Sequence, residues 1–288
     1  MKAITALIQR EYLEHRGAFL YAPLVILGLF ALVMVSAIGF DKVGPRGFAV
    51  GLSSLKLFEI AYLFTSALWF LYLLVTLFFY YADAFSADRR NNSMLFWKSM
   101  PVSDFKVLGA KMLAGGTIFP ALIFAATIIG MAIATGIATI MVFKLPTAVL
   151  PNFAGLLGSA GQVLLFDLVF VILGLLWYAP FFAWVGMLST VAGRWSIPLA
   201  FLIPGVISLL ENIVVDVHFL AFIKERLQFV DHDGTFEAQF MTPEPFNAVG
   251  QIASLLAGID WPQMIGGLVV ATLFVWLASE YRRRFIAA

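Results

Sequence analysis

The chain contains no cysteine, which excludes disulfides, thiolate metal centres and a cysteine nucleophile. Charge is also scarce. Asp, Glu, Lys and Arg make up 12% of the residues, against roughly 25% in soluble domains. There are three histidines. His218 and His232 flank Asp231 and Asp233, which reads as a solvated acidic loop rather than a metal site. No Gly-rich phosphate loop ending in Lys-Ser/Thr is present, no H-E-x-x-H and no G-x-S-x-G. The chain therefore has no visible means of hydrolysing ATP by itself. No internal repeat is evident, so nothing points to an inverted-repeat secondary transporter.

Apolar side chains are what the sequence has in excess. They account for 62% of the residues, and mean hydropathy is +0.96. A soluble core of 288 residues has too little interior to hide that surface. The expected fold is an all-α polytopic membrane protein, with residues 1–288 forming a single transmembrane domain. Six spans are predicted, at 19–40, 60–82, 112–133, 162–191, from 197 onward, and at 262–279. Each has the length needed for a ~30 Å hydrocarbon core. The fourth is longer than required, and Pro180 within it supplies a kink. Residues 1–17 place Ile4, Leu7, Ile8 and Tyr12 at helical spacing, as in a helix lying on the membrane surface; a frayed terminus is the alternative. Outer connections are expected at 41–59 and 134–161, and a very short inner turn at 192–196. Residues 211–260 form a long outer polar segment whose 219–229 part reads as a short helix.

The basic residues orient these spans. Of 18 lysines and arginines, six lie in the outer segments: Lys42, Arg46, Lys56, Lys144, Lys224 and Arg226. The other 12 lie in the inner ones. That bias predicts a multi-pass protein of the cell membrane with both termini in the cytoplasm.

Residues 83–111 are the longest polar stretch in the first half of the chain. They carry Arg89, Arg90, Lys98, Lys106 and Lys111, which predicts a cytoplasmic loop. Met94, Leu95, Phe96 and Trp97 stand together in its middle. Pro101 stops a helix there, and Ser103 is placed to cap the next one, with Asp104 in its first turn. A short cytoplasmic helix with an exposed apolar tip suits a partner's groove. Alternatively, Phe96 and Trp97 are an interfacial aromatic anchor.

This loop resembles the first cytoplasmic loop of type-2 ATP-binding-cassette (ABC) exporter permeases. In that family an acidic/basic pair precedes a short apolar coupling helix, followed by Pro-Val-Ser and a Gly/Lys pair opening the third span. The matching residues are Asp88-Arg89-Arg90, residues 93–99, Pro101-Val102-Ser103, and Gly109 with Lys111. The family's usual Gly-Thr is here Asn92-Ser93. The resemblance extends to the order of the whole chain: an N-terminal elbow helix, six spans, the coupling loop, and an extended last outer loop. It implies an exporter permease subunit with no catalysis or cofactor of its own. A separate ATPase subunit would bind ATP and Mg. It implies contact with that ATPase through Arg89, Arg90, Met94, Leu95, Phe96, Trp97 and Pro101. It also implies a second permease copy, as a homodimer, and re-entrant helices in 211–260.

Two acids fall within predicted spans, Asp167 on the fourth and Glu211 on the fifth. Ionisable groups in lipid are costly and usually face a cavity, so both are candidates for a transport pathway. The alternative places them at the headgroups. Their presence also keeps open an intramembrane enzyme using Asp167, Glu211 and His218. A membrane assembly or scaffold protein is the third reading.

Overall fold

A computed structural model describes residues 2–40, 53–90, 103–143, 150–214, 226, 229 and 244–285. Every regular element among them is helical. The order is α1 (Lys2–Arg16), a π turn (Gly17–Tyr21), α2 (Ala22–Gly39), α3 (Ser54–Arg90), α4 (Asp104–Gly116) and α5 (Ile118–Phe143). Then follow α6 (Phe153–Ala192), a 3₁₀ turn (Gly193–Trp195), α7 (Ser196–Val214), α8 (Ala248–Gly258) and α9 (Trp261–Phe285).

The bundle is organised around α3. Its buried side chains Phe58, Tyr62, Trp69, Leu73, Leu77, Tyr80 and Ala84 recur at helical spacing, the stripe that an amphipathic helix turns to its neighbours. The stripe packs against α6 and α5, and α6 in turn packs against α9. On the other side of α3, Phe64, Leu68, Leu71, Val75 and Phe79 are exposed. An apolar outer face of this kind suits lipid rather than water. Five helical runs are long and apolar enough to cross a bilayer: Ile4–Ser36, Ser54–Asp88, Asp104–Ile140, Phe153–Glu211 and Trp261–Arg284. The chain thus has the character of a multi-pass membrane protein.

The fourth run is 59 residues, or roughly 88 Å at ~1.5 Å per residue, far more than one ~30 Å crossing. It is interrupted at Gly193, whose φ of 56° lies in the left-handed region that a residue with a Cβ adopts at a cost. There α7 turns back against α6. Val185 and Leu188 of α6 share a buried cluster with Ala200 of α7 and Ala82 of α3, and Ser196 Oγ donates to Ala82 O (3.1 Å). Pro180 lies inside α6 without ending it.

Several boundaries differ from the sequence reading. Helices α3, α5 and α6 extend past the expected spans, so 83–90, 134–143 and 153–161 are helical rather than loop. Hydropathy marks only the lipid-facing part of a helix, and nothing at these positions breaks the backbone hydrogen bonding. Within the predicted surface helix, Lys2–Arg16 is helical, and it passes into α2 through the π turn with no loop between. The inserted residue turns Phe19 inward to stack on Phe119 (centroids 3.9 Å, planes 5° apart). Tyr72 Oη donates to Ala18 O (2.6 Å). Leu7 of α1 is buried beside Ala110 of α4, whereas Ile4 remains exposed. Ser103 caps α4 as the sequence suggests, its side chain accepting from Lys106 N, with Asp104 in the first turn.

Candidate functional site: a buried ionic junction between α1, α3, α4 and α9

Helices α3 and α4 are the two stems of residues 91–102. Met94, Leu95, Phe96, Trp97 and Pro101 lie outside the described residues. Arg89 and Arg90 close the last turn of α3, their side chains outside the described set.

Near the facing ends of α3 and α4, four helices meet through charge. Asp88 of α3 is 1% exposed, as are Lys111 of α4 and Arg282 of α9, and Glu11 of α1 is 3% exposed. Lys111 Nζ donates to Glu11 Oε1 (2.7 Å) and lies 3.8 Å from Asp88 Oδ2. Tyr80 Oη donates to Glu11 Oε2 (2.9 Å). Arg282 donates to Asp88 Oδ2 through Nη1 (3.3 Å) and Nη2 (3.4 Å). Arg282 Nε lies 3.4 Å from Asp104 Oδ1, and Arg10 Nη1 3.7 Å from Asp88 Oδ1. Among the described residues the acids Glu11, Asp88 and Asp104 face the bases Arg10, Lys111 and Arg282. Ion pairing and hydrogen bonding are what make buried charge tolerable. Glu14 and His15 bring their ligand atoms close to Glu11, but Glu14 already pairs with Arg10 (2.8 Å) and Glu11 with Lys111, so these groups serve as ionic partners.

The sequence singled out Asp88 and Lys111 in the loop resemblance and Asp104 as the first-turn acid of α4, but did not join them to Glu11 or Arg282. One signal was present: Glu11 continues the Ile4, Leu7, Ile8 stripe of α1, so an acid stands on the face that packs.

A second polar cluster closes the opposite end of α3. Lys56 Nζ donates to Glu244 O (2.9 Å) and pairs with Glu59 (3.2 Å). The Glu59 carboxylate also accepts from Ser159 Oγ (3.2 Å) and from Phe246 N (3.1 Å). Gln162 Oε1 accepts from Ala248 N (2.9 Å), which fixes the start of α8, a short apolar helix packed on α6. Nearby, Arg226 is buried between α6 and α9. Its guanidinium stacks over Trp177 (4.2 Å) and donates to Trp177 O (3.0 Å) and Gln263 O (2.6 Å). The two ionic clusters bracket the uncharged residues 60–82 of α3, roughly 34 Å of helix.

Asp167 is 4% exposed on α6 and faces Ser66 of α3, in a geometry that leaves Ser66 Oγ short of a good hydrogen bond. Glu211 is half-buried near the end of α7. Counted from Gly193, Glu211 stands roughly 27 Å and Asp167 roughly 39 Å along their helices.

Comparison of the chain with protein-family models, with curated proteins and with solved structures gives no match.

Proposed function

We propose that this chain is the membrane permease subunit of an ABC exporter, moving its cargo outward with ATP hydrolysed by a separate subunit. The observation that carries the reading is the junction between α1, α3, α4 and α9. The first helix, the last helix and both loop stems meet at one end of the bundle. That is the arrangement a coupling loop needs if a partner's movement is to reach the spans. Parity supports six crossings. Helices α1 and α9 meet at the same end, which requires an even number. Five runs satisfy this when the 59-residue run crosses twice, turning at Gly193. The positive-inside bias then sets the terminal end in the cytoplasm. In this reading Met94, Leu95, Phe96 and Trp97 enter a groove on the ATPase, with Arg89, Arg90 and Pro101 at its rim. A second copy of the chain completes the pore. Asp167 and Glu211 border the outer part of the cargo path.

A photo-crosslinking residue at Trp97, introduced in cells, tests the reading. The expected adduct is an ABC ATPase subunit. Crosslinks to lipid alone would assign Phe96 and Trp97 to the membrane interface and remove the basis for the proposal. The burial of Asp167 beside Ser66 favours a second reading, an intramembrane enzyme. That reading requires a catalytic activity in the isolated chain that Asp167→Asn abolishes.

A further inference from the structure

Residues 91–102 are held at both ends by one side chain of the last helix. Arg282 of α9 reaches Asp88, two residues before the end of α3, and Asp104, the first residue of α4. Its guanidinium therefore lies between the two stems. Asp88 is also approached by Arg10 of α1 and Lys111 of α4, and Lys111 passes the linkage on to Glu11 of α1. Apolar contacts between helices slide with little directional preference. The Arg282 contact is directional at Asp88, where Nη1 and Nη2 both donate to Oδ2, and ionic at Asp104, where Nε stands 3.4 Å from Oδ1 without a hydrogen bond.

We propose that Arg282 is a positioning residue that clasps the ends of α3 and α4 together and carries their displacement to the last span. Partner binding and movement of α9 are then separable properties, and Arg282 supplies the linkage between them. This inference rests on the permease reading for its partner, but the clasp exists in the free protein and is measurable there.

The position of the other charges supports a mechanical role over a purely local one. Lys111 and Glu11 alone would be enough to join α4 to α1. Arg282 adds a charged connection from the two stems to α9, which also packs on α4; Arg282 lies 194 residues from Asp88. It is also 1% exposed, so water does not compete for its bonds.

Two variants keep a fold-competent protein while breaking the clasp. Arg282→Lys retains the charge but loses the fork, and Asp104→Asn releases only the stem acid that is 24% exposed. Spin labels at Phe105 of α4 and Trp276 of α9, both exposed, in the cysteine-free chain report the stem-to-last-helix distance. The unsubstituted protein should give one narrow distance distribution, and both variants a broadened or split one, without any partner present. With the ATPase added, both variants should still co-purify with it, while chain-dependent stimulation of ATP hydrolysis falls by about tenfold, a typical coupling between sites. Narrow distributions and full stimulation in both variants would overturn the clasp. If the unsubstituted chain engages no ATPase, the permease reading fails, and the partner-free distances alone decide whether Arg282 joins the stems to α9.

Discussion

Replacing Lys111 by Met leaves its volume nearly unchanged and removes the cation of a buried ion pair. Glu11 then keeps Tyr80 as a donor at 2.9 Å but loses the ammonium at 2.7 Å. Asp88 loses a cation at 3.8 Å. Glu11 is left almost fully buried without its counter-charge. Breaking a buried pair by removing one partner costs about 3–5 kcal/mol. The double variant Glu11→Gln with Lys111→Met removes the acid together with its base, and the Gln carbonyl still accepts from Tyr80. Its cost should be only the lost hydrogen bond and the weaker Lys111–Asp88 contact, about 1–2 kcal/mol. The double variant should therefore recover about 2–3 kcal/mol relative to Lys111→Met alone. Reversible unfolding by SDS in mixed micelles, followed by tryptophan fluorescence, measures it. A Lys111→Met cost below about 1 kcal/mol, with no recovery in the double variant, would refute the electrostatic account of how α1 is held.

Three further outcomes follow from the same structure. Cysteines introduced as Ser93→Cys and Thr235→Cys should label from opposite sides of the membrane; labelling from one side would overturn the six-span topology. Glu59→Ala strips the acceptor from Phe246 N, Ser159 and Lys56 together and leaves Lys56 buried without its carboxylate. It should destabilise the fold by about 3 kcal/mol in the same SDS assay, and an unchanged midpoint would remove the clamp from the account. Asp167→Asn and Glu211→Gln should alter cargo-stimulated ATP hydrolysis without blocking assembly, and cysteines at both positions should react with a water-soluble thiol reagent added outside. Inert cysteines combined with normal transport would make both acids structural.

The features legible in the sequence are those set by neighbours along the chain. The buried stripe of α3 is not among them, because its other face, with Phe64, Leu68, Leu71 and Val75, is equally apolar. The cap of α4 is read from Ser103-Asp104, and the α6–α7 turn from Gly193-Arg194-Trp195 between two apolar runs. The junction was not legible because its partners are far apart: Lys111 and Glu11 by 100 residues, Arg282 and Asp88 by 194. Charge counting treated Lys111 and Arg282 as solvated loop residues, although both are buried. The π turn escaped notice because a single inserted residue leaves hydropathy unchanged; only the inward turn of Phe19 onto Phe119 reveals it. The depths of Asp167 and Glu211 depend on where the chain turns between α6 and α7; counted from Gly193, the two acids stand about 12 Å apart along the bundle.

ATP turnover in proteoliposomes tests the central claim most directly. The purified chain alone, its ATPase subunit alone, and the two together are compared, with the double variant Phe96→Ala/Trp97→Ala in place of the chain as control. The account predicts no hydrolysis by the chain alone and hydrolysis by the pair above that of the ATPase alone. It also predicts loss of the increment in the double variant, which should still insert and fold. Hydrolysis by the pair that never exceeds that of the ATPase alone, or an increment that survives Phe96→Ala/Trp97→Ala, would contradict it.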